Sequence, residues 1–156
     1  MSEAEIKGHI LKALEKTEDH GVYLFVLKPE EYHIANEIIL DYFIRKLNKK
    51  GIYVTLNKPY NNLSESLKKR SIDSSSLYFI DGTSKTGSEG KVTSGKENYT
   101  YINNPESLTE LSLVITNMSN TGKYQFLFFD SITTLLVYNS ATATEKFDTC
   151  LYLTYW

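Results

Sequence analysis

Four short apolar runs, each followed by enough chain for a helix, constrain this sequence more than any other feature. They are VYLFVL at residues 22–27, IYVTLN at 52–57, SLYFID at 76–81 and KYQFLFFD at 123–130, and the last two end in Asp81 and Asp130. A run apolar on both faces is what a strand needs when helices cover both sides of a parallel sheet. The intervening segments supply helical spacing. Ile6, Ile10, Leu11 and Leu14 share one face within residues 1–20, with Gly21 as the stop. Pro29, Glu30 and Glu31 suit the first turn of a second helix reaching about residue 50 and burying Ala35, Ile38, Ile39, Tyr42, Phe43 and Leu47, with Gly51 closing it. A short helix is expected over 63–70, and another over 105–120 with Leu108, Leu111, Ile115 and Met118 on its apolar face. YTYIN at 99–103 reads as a short strand, and residues 131–156 as mainly helical. Alternation of this kind predicts an α/β fold, a three-layer sandwich around a mostly parallel sheet, formed as one domain over residues 1–156.

Residues 82–98 break the pattern. GTSKTGSEGKVTSGKEN holds no apolar residue but Val92 and predicts a long mobile surface loop. Within it, GKVTSGKE (Gly90 to Glu97) meets a phosphate-loop pattern through its lysine and then fails, with Glu97 where a metal-binding hydroxyl belongs. Such a loop works by joining a strand directly to a helix, so that backbone amides converge on the phosphate. This stretch has neither flank, and chance accounts for it. The slot where a phosphate grip belongs is the link after the first apolar run, VLKPEEYHIAN. There Pro29 has no amide hydrogen, Glu30 and Glu31 place negative charge at the helix start, and only Lys28 is cationic.

Composition excludes little beyond the extremes. The chain is 41% hydrophobic and 23% charged, ordinary for a folded domain, and its formal net charge of −2 argues against nucleic acid as the main partner. The single cysteine, Cys150, excludes an internal disulfide and fits a reducing, cytoplasmic setting. In its apolar surroundings it reads as a small buried residue. His9, His20 and His33 are scattered and have no cysteine companions, so no metal centre is predicted from them. No run is long enough for membrane insertion.

Three segments, GIYVTLNKPYNNL, SLYFIDGTS and FLFFDSITTLLVYN, occur in the order and at roughly the spacing found in KaiC-like ATPases of the RecA superfamily. Over residues 20–148 the chain resembles that family, most closely its degenerate, uncharacterised archaeal members. The resemblance implies a RecA-like P-loop NTPase fold, here without the C-terminal strands that usually complete the sheet. It matches Asp130 and Ser131 to the magnesium-side segment, and Thr133, Thr134 and Leu135 to the helix start beyond it. Asn57 and Lys58 stand where the family carries a glutamate pair. An amide cannot take a proton from water, and a lysine is already protonated at neutral pH. With the phosphate loop also missing around Pro29, Glu30 and Glu31, two requirements of phosphoryl transfer are lost together. The resemblance therefore implies an inactive, RecA-like domain acting as a protein-binding or regulatory module, with no cofactor and no catalytic residue. Its expected partners are copies of itself or an active KaiC-like relative. The alternative is residual ATP and magnesium binding, or a weak ATPase, through an unconventional grip of Lys28, Asp130 and Ser131, with Asp130 at the metal. Asp81 and Asp130 end strands where open α/β sheets place ligands, but aspartates there also cap loops and helices; both readings stand.

Overall fold

A computed structural model describes residues 2–17, 21–84, 98–103, 107–140, 143, 144 and 147. The GKVTSGKE stretch, His20 and Cys150 lie outside the described residues. The order of elements is α1 (Glu3–Leu14), α2 (Tyr32–Asp41) running into a π-helical turn (Tyr42–Lys46), β1 (Gly51–Thr55), α3 (Tyr60–Lys69), β2 (Leu77–Asp81), β3 (Tyr99–Tyr101), α4 (Leu108–Ser119), β4 (Phe126–Asp130) and α5 (Ile132–Tyr138). The four strands form one all-parallel sheet in the order β3-β2-β1-β4. The coarse α/β sandwich expected from the apolar runs is therefore present.

Side chains alternate between the faces of a strand, and the register shows which ones share a side. Tyr53 pairs with Phe79 and Phe128, so these rings share one face and pack with Leu40 and Ile44 of the α2 rod and with Leu63 and Leu67 of α3. Ile52, Val54 and Ile80 point the other way, onto Leu111 and Ile115 of α4 and Leu135 of α5. All five residues of β1 are buried, as a central strand covered on both faces requires. A third cluster joins Ile6, Ile10 and Leu14 of α1 to Ala35, Ile39 and Tyr42. Helix α1 begins with a reciprocal capping box: Ser2 Oγ accepts from the Glu5 amide, and Glu5 Oε2 accepts from the Ser2 amide at 2.7 Å.

The expected first strand is a correction. Residues 22–27 form no strand, and no backbone pairing among the described residues joins them to the sheet. Phe25 and Leu27 pack on the α1–α2 cluster, whereas Val22, Leu24 and Val26 are 71%, 73% and 88% exposed. An apolar run supplies strand propensity; it does not supply a neighbour with free backbone groups. The second helix also differs. Lys28 to Glu31 form a turn, closed by a hydrogen bond from the Glu31 amide to the Lys28 carbonyl at 2.9 Å, so the helix starts at Tyr32 and Pro29 and Glu30 precede it. It ends before the predicted boundary because Asn48 takes a left-handed φ of 50°, turning the chain ahead of Gly51.

Gly51 consequently opens β1 instead of closing a helix, and its lack of a side chain serves packing. A Cβ there would lie 2.3 Å from the Phe126 ring, which is stacked on Phe43 with centroids 4.8 Å apart. Gly51→Ala is expected to lower stability by roughly 1–3 kcal/mol, the usual cost of forcing atoms into a filled core. Urea unfolding of the purified variant measures it, and an unchanged midpoint would contradict this packing.

Candidate functional site

Thr55 of β1 is level with Asp81 of β2 on one side and Asp130 of β4 on the other. By strand alternation all three point to the face covered by α2 and α3, in a polar row at the carboxyl ends of the strands. The aspartates have different surroundings, and these decide what each can do.

Asp81 is fully buried and closes the chain around itself. Its carboxylate accepts from the Tyr60 amide at 2.8 Å, the Thr83 amide at 2.8 Å and hydroxyl at 2.9 Å, and the Ser84 amide at 3.0 Å and hydroxyl at 2.7 Å. Tyr60 is the first residue of α3, so Asp81 satisfies an amide at that helix start while pinning the turn that leaves β2. Burial pushes the carboxyl up, but the hydrogen bonds from Tyr60, Ser84 and Thr83 outweigh it and hold the group below the ordinary aspartate value of 3.8. Asp81 is thus a loop and helix cap.

Asp130, 2% exposed, is surrounded by neutral donors from three parts of the chain. Oδ1 accepts from the Tyr32 hydroxyl and, at 3.1 Å, from Asn57 Nδ2; Oδ2 accepts from the Tyr53 hydroxyl at 2.6 Å and from Asn36 Nδ2 at 3.2 Å. An ionised carboxylate offers about four lone-pair sites, and all are taken. Burial pushes both phenols above the ordinary tyrosine range, and Asp130 adds to this through its hydrogen bond to Tyr32 and its charge near Tyr53. Both tyrosines therefore stay O–H donors at neutral pH.

Asn57 extends the network outward. Its Nδ2 donates to Ser131 Oγ at 3.2 Å, and its Oδ1 accepts from the Thr134 hydroxyl. The Asp130–Ser131 peptide bond is cis. Asn57 thereby ties the β1 end to the start of α5. Lys58 projects from the same bend, with Nζ 3.0 Å from His33 Nδ1 and 5.9 Å from the centroid of the Tyr32 ring. Thr55 holds the bend, its hydroxyl bonded to the Lys58 carbonyl at 2.6 Å.

The positions singled out by sequence thus divide. Asp130, Ser131, Asn57 and Lys58 converge with the first half of α2 on one site. A pocket of about 250 Å³ opens beside it, lined by residues that include His33, Asn36, Lys58, Ser66 and Asp130. Lys28 does not join them: its side chain is exposed and outside the pocket lining, and its amide hydrogen points to Glu31 Oε2 at 3.4 Å. Pro29 and Glu30 are exposed in the turn, whereas Glu31 is buried. Tyr32, Tyr53 and Asn36 are the residues that sequence reasoning missed. Tyr53 lies inside an apolar run, and only the strand register aims its hydroxyl at Asp130.

Magnesium does not suit Asp130 as it is surrounded. A hard cation needs oxygen acceptors, whereas every atom bonded to this carboxylate presents a hydrogen. Among the described residues no group of three or more His, Cys, Asp or Glu converges on a metal position. No described helix is long and apolar enough to cross a membrane. Comparison of the chain with protein-family models, with curated proteins and with solved structures finds no match.

Proposed function

We propose that this chain is a catalytically silent, RecA/KaiC-like domain that works as a protein-binding or regulatory module. The observation that carries the reading is the saturation of Asp130: two phenols and two amides occupy the carboxylate where phosphoryl transfer would need a free metal ligand. Asn57, in place of a general base, is itself one of those donors, and the turn before α2 contributes a proline and two carboxylates where a phosphate would seek amides. Exposed Val22, Leu24 and Val26, with Leu136, Val137 and Tyr138 on α5, supply apolar surface that a protein partner could cover. The partners that fit the resemblance are a second copy of the chain or an active KaiC-like relative.

Residual ATP and magnesium binding is the competing reading. It is favoured by the position of Asp130 and Ser131 at the carboxyl ends of parallel strands. One experiment separates the two. A ligand at 100 times its dissociation constant adds about 2.7 kcal/mol of stability. Thermal unfolding with millimolar ATP and magnesium is expected to leave the midpoint unchanged. A rise that disappears in Asp130→Asn would reverse the ranking.

A further inference from the structure

We propose that the pocket between α2, α3 and the ends of β1 and β4 binds a small monoanionic carboxylate with an apolar body, held by Lys58. The Lys58 ammonium has three hydrogens and lies against the His33 ring nitrogen and the Tyr32 face, and among the described residues no carboxylate pairs with it. Because an ammonium can only donate, His33 Nδ1 accepts, and the ring hydrogen is left on Nε2. The Ser66 hydroxyl, also on the pocket wall, donates no hydrogen bond among the described residues. Lys58 is the one lysine or arginine among the residues lining this space, and beyond His33 its ammonium hydrogens have no acceptor among the described residues, so an incoming carboxylate would complete it.

The rest of the lining narrows the class. Leu40, Leu63 and Leu67 form an apolar wall suited to a hydrocarbon or aromatic body. Glu37 is paired with Arg70 at 3.1 Å and the Asp130 carboxylate is saturated by its four donors, so Lys58 is left to take a single negative charge, while a polyanion would crowd both carboxylates. At about 250 Å³ the pocket falls below the ordinary range for drug-sized ligands, which also argues against a whole nucleotide. The inference goes beyond the protein-binding reading and does not depend on it, because ligand binding is read on the isolated chain without a protein partner.

Amide chemical-shift titrations of the full chain with benzoate, with neutral benzamide and with inorganic phosphate test it. Benzoate, with about nine non-hydrogen atoms, is expected to saturate shifts at His33, Lys58 and Ser66 in the millimolar range. Loss of a charge-assisted hydrogen bond predicts binding weaker by about tenfold or more both for benzamide and for benzoate with Lys58→Met. Benzoate shifts that fail to saturate, equal affinity for benzamide, or undiminished binding by the lysine variant would each overturn the assignment. So would saturation by phosphate in the absence of benzoate binding. If Lys58→Met does not fold, the comparison of benzoate with benzamide on the parent chain decides alone. Failure here leaves the ATP result untouched, so the two readings fall separately.

Discussion

Asp130→Ala is expected to destabilise the chain by roughly 3–5 kcal/mol, because it removes the acceptor on which three buried or half-buried donors and the exposed Asn57 amide converge. The Tyr53 hydroxyl is the largest contributor to this cost. Its residue is wholly buried, and an unsatisfied buried hydroxyl is costly. For a chain of this size the melting temperature should fall by about 10 °C. Tyr53→Phe removes one donor and leaves the carboxylate with the other three, so it should cost only about 1–2 kcal/mol. Denaturant unfolding of both variants provides the measurement. A loss below 1 kcal/mol for Asp130→Ala would mean that the carboxylate is not the keystone of this network, and would reopen a ligand-binding role.

The second large effect is expected at Asp81, and it carries a pH signature. Asp81→Ala leaves three backbone amides, those of Tyr60, Thr83 and Ser84, without their acceptor, for a loss of roughly 3–4 kcal/mol. The sign of the pH dependence follows from the depressed carboxyl. Its contribution is fully present above the unfolded value, near the ordinary 3.8, and declines as the pH falls from there through the lower folded value. The parent chain should therefore lose stability more steeply than Asp81→Ala over that acidic window, so that the gap between them narrows. Parallel stability curves from neutral pH down to pH ~2 would refute the role assigned to this group.

How much of this could be read in the sequence depends on the residue. The α/β class follows from apolar runs alternating with helical spacing, and the parallel sheet is present with β1 buried on both faces. Asp81 and Asp130 stand out as charged residues ending apolar strands, but the sequence leaves both their readings open. Asp81 resolves as a cap because the residues just after it, Thr83 and Ser84, fold back with amides and hydroxyls. Asp130 takes its partners from residues 32, 36, 53 and 57, more than 70 positions away, so no local pattern could have announced them.

By itself, the sequence determined what each segment can tolerate: which runs must be buried, where helices can start, and that the turn before α2 holds proline and acid instead of glycine. These are local properties, carried by side-chain type and spacing. Tertiary structure alone decided which run found a pairing partner. Residues 52–55, 77–80 and 126–129 pair within the sheet, while among the described residues 22–27 do not join it, because a strand is completed by its neighbour's backbone groups and not by its own composition. The same dependence on distant chain governs the site. Register sets Asp81, Thr55 and Asp130 in one row, and α2 then brings tyrosine and asparagine donors onto one of the two carboxylates.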